Sequence, residues 1–116
     1  MDLFVIQFKD GSYLLCKRYV LEDSGSYYFD GAIYGFPMDD VIDITPVYVA
    51  VESSRVGNLR VLNSVSTDYK GVRYLVTSLG VYSLVGSVFV KLPVSLNYQL
   101  RTMLTGMYHI AAKDYN

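Results

Sequence analysis

Apolar positions come in short β-rich runs broken by polar turn residues along most of the first 90 positions, and only beyond Pro93 does a helical period replace them. Leu3 to Lys9 and Ser12 to Val20 are β-rich runs on either side of Asp10-Gly11, a dipeptide that supplies the positive φ angles of a type I′ turn, so the pattern predicts a tight hairpin. Phe4, Ile6 and Phe8 share one face of its first strand; Leu3, Val5 and Gln7 share the other. "LEDSGS" reads as a polar loop into "YYFDGAIYGFP", where a second Asp-Gly at 30 and 31 marks either a bulge or a further hairpin, and Pro37 ends the element. Val41, Ile42 and Ile44 lead to Thr45-Pro46, which interrupts a central strand or marks an edge. Val47, Val49 and Val51 resume alternation, "SSRVGN" reads as a turn, "LRVLNSVS" as the next strand and "TDYKG" as another turn.

The stretch "GVRYLVTSLGVYSLVGSVFVKLP" carries no charge between Arg73 and Lys91, a run at the short end of what a membrane-spanning helix needs. Ser83 and Ser87 also stand in the small-xxx-small relation of helix contacts in lipid. Against this, its residues are largely β-branched or aromatic, and Gly71, Gly80 and Gly86 divide it into strand-sized pieces. A β-meander is therefore expected rather than a membrane span. Past Pro93, Leu96, Leu100, Met103, Leu104, Met107 and Ala111 form one stripe of a helix with Ser95 at its cap, weakened by Gly106. The expected fold is α+β: mostly antiparallel sheet, built of hairpin and meander, with one C-terminal amphipathic helix packed on it, in a single domain over 1–116.

Composition sharpens the functional problem. Of 116 residues, 52% are hydrophobic and only 18% charged, with 12 tyrosines and no tryptophan. A domain of this size exposes too much surface to hide all of that, so part of it is expected to form an interface with a partner or with copies of itself. Charge is uneven along the chain: residues 1–54 hold nine acids and three bases, residues 55–116 seven bases and two acids. Such asymmetry points to a polar partner or to head-to-tail association, unless strands of both halves interleave and cancel it. "MDLFVIQFKDG" has no basic region followed by an apolar core, so a secretory signal is not expected and the cytoplasm is the expected location.

Residues that carry chemistry are sparse. Metal sites need several His, Cys or carboxylate ligands, whereas this chain has one histidine, His109, and one cysteine, Cys16. Cys16, inside an alternating strand, reads as a small core residue, and His109 as a cation in the last turns of the helix. "MDDVID" gathers Asp39, Asp40 and Asp43, of which Asp39 and Asp43 could share one face if the segment were helical, but the cluster reads better as a solvated edge or turn. "DYK" at 68 to 70 matches a fragment of metal nucleases too short to carry weight, and no phosphate-cradling or nucleophile-elbow motif occurs. Neither an enzyme nor a cofactor is expected.

With these residues laid out, "FVIQFKDGSYLL" and "DVIDITPV" resemble the style of many small proteins encoded by bacteriophages, including anti-defence proteins and inhibitors. The resemblance covers about the first 50 residues and carries no functional residues across. It implies a class of small, metal-free proteins that act by occupying a surface of a larger protein, here in the host cytoplasm. On this reading Tyr27, Tyr28, Tyr34, Asp39, Asp40 and Asp43 contact a partner with a basic surface, tyrosine giving contact area and the carboxylates speeding encounter. A second reading is a self-assembling structural subunit of virion type, a homo-oligomer joined through surplus apolar surface. A third is a binder of single-stranded nucleic acid through Tyr69, Lys70, Arg73 and Tyr74, which the acidic balance of the chain disfavours.

Overall fold

The computed structural model describes residues 1–95 and 97–115, with side chains for all of these but 62 and 112–115. Ten strands, one short 3-10 turn and one helix are found among the described residues, and the chain is mostly antiparallel sheet with a single C-terminal helix packed on it, as expected for α+β. It divides into two compact units, Asp2–Val47 and Tyr48–Asn116, the second including Met1.

In the first unit β1 (Asp2–Phe8) pairs with β2 (Tyr13–Cys16), Gln7 standing opposite Tyr13. The connection departs from the type I′ turn expected at Asp10-Gly11. Phe8 exchanges main-chain bonds with Ser12 and Gly11, leaving a loop of Lys9, Asp10 and Gly11 in which Gly11 alone takes a positive φ, 87°. This is the three-residue hairpin with one left-handed glycine. The Asp10 carboxylate accepts hydrogen bonds from the Ser12 N–H (2.9 Å) and the Ser12 hydroxyl, which fixes the loop.

The run expected as one strand from Ser12 to Val20 is cut at Lys17. β3 (Arg18–Glu22) begins a separate sheet of order β3-β4-β5, with β4 (Gly25–Phe29) and β5 (Ile33–Phe36). Leu21 and Glu22, expected in a loop, belong to β3. Asp30-Gly31 proves to be a hairpin turn rather than a bulge: Phe29 faces Ile33, Gly31 has φ 71° and the Asp30 N–H donates to the Ala32 carbonyl. One face of β1 packs as its alternation predicts. Ile6, Cys16 and Phe36 form a buried cluster flanked by Phe4, Phe8, Leu14, Tyr19 and Tyr28, with Phe4 and Tyr19 edge to face at 4.9 Å.

β6 (Val41–Val56) begins in this unit and ends in the second. Pro46 does not interrupt it: the strand runs through this position, and the pairing with β7 (Leu59–Tyr69) starts only at Val49. Ser53 to Val56, expected in a turn, continue the strand. The second unit is a meander of β6, β7, β8 (Val72–Thr77), β9 (Gly80–Val85) and β10 (Val88–Lys91), neighbours in sequence being neighbours in the sheet. The uncharged stretch is thus three strands, and among the described residues no helix is long and apolar enough to cross a membrane. The two-residue turn with positive φ at both positions occurs at Lys70-Gly71, between β7 and β8.

Three buried hydroxyls in this sheet donate to main-chain carbonyls: Ser64 to Glu52, Thr67 to Tyr48 and Thr77 to Gly80. Helix α1 (Tyr98–Tyr115) contacts β7, β8 and β9 and buries Met103, Leu104, Met107 and Ala111, the stripe read from the sequence, with Leu100 half-buried. Leu96, the first member of that stripe, lies outside the described residues. Ser95 is not the cap, because the helix starts three residues later, where the Asn97 carbonyl accepts the Arg101 N–H at 2.9 Å. Leu104 and Met107 are fully buried, each contributing about 2 kcal/mol of apolar transfer.

Candidate interaction surface

The tyrosine-rich strand β4 splits its side chains between two faces. Register aligns Tyr19, Tyr28 and Tyr34 across the three strands, and this row turns toward the cluster of Ile6, Cys16 and Phe36. Tyr28 stacks on Tyr34 at 5.3 Å and tilts toward Phe36 at 6.4 Å, so Tyr28 is mainly a packing residue. Tyr27 belongs to the opposite face with Arg18, Val20, Phe29, Ile33 and Gly35. Its register neighbour Gly35 has no side chain, which leaves one flank of the Tyr27 ring uncovered. The Arg18 guanidinium lies 3.9 Å from the centre of the Phe29 ring, a cation–π contact that holds both groups flat against the sheet. Ile33, across from Phe29, is 65% exposed, and Tyr34 on the outer strand β5 is 46% exposed.

The chain leaves β5 through Pro37 into a 3-10 turn, Met38–Asp40, in which Asp39 and Asp40 are exposed. Asp43 does not share a helical face with Asp39, since β6 has already begun at Val41; its carboxylate is half-buried and accepts the Thr45 hydroxyl at 2.7 Å. Met38 and Ile42, 56% exposed, stand beside the acids. The Lys9 N–H donates to the Asp40 carbonyl at 2.8 Å, and a cleft of about 400 Å³ opens there, lined by Phe8, Lys9, Asp10, Ser12, Pro37 and Asp40. Tyr27, Tyr34, Asp39 and Asp40 are therefore presented at the surface of one unit, together with Arg18, Phe29, Ile33, Met38 and Ile42, which the sequence reading did not include. Parity along β3 to β5 would have found Phe29 and Ile33 had the Asp30-Gly31 turn been settled.

The charge asymmetry survives folding. Asp2–Val47 carries eight acids and three bases, net −5, whereas the remaining residues carry seven bases and three acids, net +4.

The alternative nucleic-acid residues come together at the β7–β8 turn in a different way from that expected. Tyr69 and Tyr74 are buried, so neither ring is open to a stacking base, and the Lys70 ammonium lies 5.4 Å from the Tyr69 ring centre. Arg73 makes a fork of two 3.0 Å bonds to the Asp68 carboxylate, which holds that carboxyl below the usual range. Cys16 is buried in the core, and loss of hydration pushes its thiol up to about 11, against a smaller opposing main-chain bond. His109 is exposed on α1 with its ring 5.8 Å from that of Tyr108. Among the described residues no three His, Cys, Asp or Glu side chains gather closely enough to hold a metal.

No protein family, curated protein sequence or solved structure matches this chain.

Proposed function

We propose that this chain is a non-catalytic protein-binding module, an inhibitor of the phage type that works in the host cytoplasm by occupying a surface of a larger protein. The contact region is the outer face of β3–β5, the exposed Tyr34 on the edge strand β5 and the segment Met38–Asp43. The observation that carries the reading is the juxtaposition of exposed apolar groups (Ile33, Tyr34, Met38, Ile42) with the exposed carboxylates of Asp39 and Asp40 in one unit. Apolar and aromatic anchors beside like-signed charge suit a partner whose surface is basic around an apolar centre. Ile33, Tyr34 and Ile42 are held on strands, so little ordering entropy is lost at these anchors on binding.

Affinity capture from the native cytosol tests this, with nuclease treatment to remove nucleic-acid bridges. The expected result is one dominant protein partner, retained after nuclease and lost with Ile33→Asp combined with Asp39→Asn and Asp40→Asn, while circular dichroism and thermal midpoint stay unchanged. Equal capture by the substituted chain would sink the assignment of this face.

A second reading has its own observation. β10 is the last strand of its sheet, and Val88 and Val90 are exposed along it with Val85 beside them. An edge with exposed valines, charged only at its last residue Lys91, is a template for pairing with another strand, as a self-assembling subunit requires. Mass in dilute solution separates the two readings: a stable homo-oligomer with no partner present favours the second.

A further inference from the structure

The β6–β7 hairpin carries a feature that protein binding does not use. Between Val49 and Glu52 the two strands pair so that Glu52 faces Ser64, and continuing that register would set Arg55 opposite Val61. A bulge intervenes after Glu52. Asn63 there takes φ 55°, a left-handed conformation that asparagine tolerates better than most residues. Beyond the bulge Ser54 faces Val61 and Arg55 faces Arg60, so one extra residue makes the two exposed arginines direct cross-strand partners.

Like charges directly opposite each other destabilise a ladder. Neither arginine makes an ion pair or hydrogen bond with a described side chain. The nearest acid in sequence, Glu52, alternates to the other side of β6, where its field acts on Arg73. Around the pair lies a small polar cleft of about 210 Å³, lined by Ser53, Ser54, Arg55 and Arg60.

We propose that this cleft is an oxyanion site for a phosphate group, free or carried as a monoester. The two guanidinium groups supply two positive charges and two planar forks from opposed positions on neighbouring strands. A single carboxylate is satisfied by one fork, whereas a phosphate dianion balances both charges and has oxygens enough for both. Ser53, on the same side of β6 as Arg55 and exposed, adds a hydroxyl donor of the kind that completes phosphate coordination, whereas the Ser54 hydroxyl accepts from Ser64 on the other side. The repulsion stored in the unliganded pair is released when the anion arrives, so binding and local stability are linked.

The test uses the full chain, with inorganic phosphate titrated at ionic strength held constant by chloride. Nuclear magnetic resonance follows the Arg55 and Arg60 Nε–H signals and the amides of Ser53 and Ser54. The expected result is saturable shifts confined to these groups, weakened about tenfold or more in Arg55→Gln and in Arg60→Gln. Thermal melting supplies a second readout. Phosphate should raise the midpoint of the wild type but not of either variant, and in phosphate-free buffer each single variant should melt at or above the wild type. Adenosine monophosphate distinguishes the sources: equal saturation assigns recognition to the phosphate alone, tighter saturation to a nucleotide. Shifts that never saturate, that spread evenly over other exposed cations such as Arg18 and Lys91, or that persist in the doubly substituted chain would overturn the proposal.

Discussion

At the residue scale, Cys16 shows how position sets chemistry. It follows Leu15 in a strand, is 3% exposed, and has Ile6 and Phe36 in its cluster, so burial disfavours the thiolate and raises the thiol from its ordinary 9.0 to about 11. Iodoacetamide should therefore label the native chain far more slowly than the unfolded chain at pH 8, a difference read directly by mass spectrometry. Equal rates would show that the cluster opens readily. The same shift has a sign for stability: the folded state disfavours ionisation, so the contribution of the thiol is complete below about pH 9 and is lost as pH rises toward 11. Asp10 behaves oppositely. Its bonds to Ser12 hold the carboxyl below the usual range, so whatever the group adds is present above the ordinary value of 3.8 and fades as pH falls below it.

Elements decide which residues can act together. The parity of β3, β4 and β5 places Tyr28 inward and Tyr27 outward, although the two are adjacent in sequence. Gly35 sits opposite Tyr27 with negative φ, and a Cβ built on it would meet only the Ser26 carbonyl oxygen, at 3.8 Å. Gly35→Ala is thus expected to stabilise the fold by about 0.5–1 kcal/mol through lost chain entropy in the unfolded state, measurable by urea titration. A destabilised variant would mean that the strand needs glycine for a reason other than freedom of the chain. Element types were largely legible beforehand, since β-branched and aromatic runs between glycine turns mark β8 to β10, and the stripe of Met103, Leu104, Met107 and Ala111 specifies the buried face of the helix. Turn chemistry was less so. Asp10-Gly11 formed a three-residue loop and Lys70-Gly71 the two-residue turn, because one dipeptide is compatible with several loop lengths and the strand register chooses among them.

On the scale of the whole molecule, the separation of charge into a unit of −5 and a unit of +4 makes a prediction about encounter. If the acidic unit steers the chain onto a basic partner, raising salt from about 0.05 to 0.5 M, which shortens the screening length severalfold, should slow association markedly while dissociation changes less. Surface plasmon resonance with the captured partner measures both rates. Salt-independent association would leave the exposed apolar groups Ile33 and Ile42 as the main determinant and remove the role given to Asp39 and Asp40.

Alternation, the DG and KG turns and the C-terminal stripe were enough for the sequence alone to specify an α+β chain rich in antiparallel sheet, because those patterns record which side of each element must leave water. It also specified the uneven charge and the scarcity of metal-ligating and nucleophilic side chains. Tertiary structure alone decided that the strand breaks at Lys17 to start a second sheet, that Tyr69 and Tyr74 lie buried while Ile33 is open, and that a bulge at Asn63 sets Arg55 against Arg60. These outcomes depend on register between segments distant in the chain. A shift of one residue there reverses every face, and no local pattern carries that information.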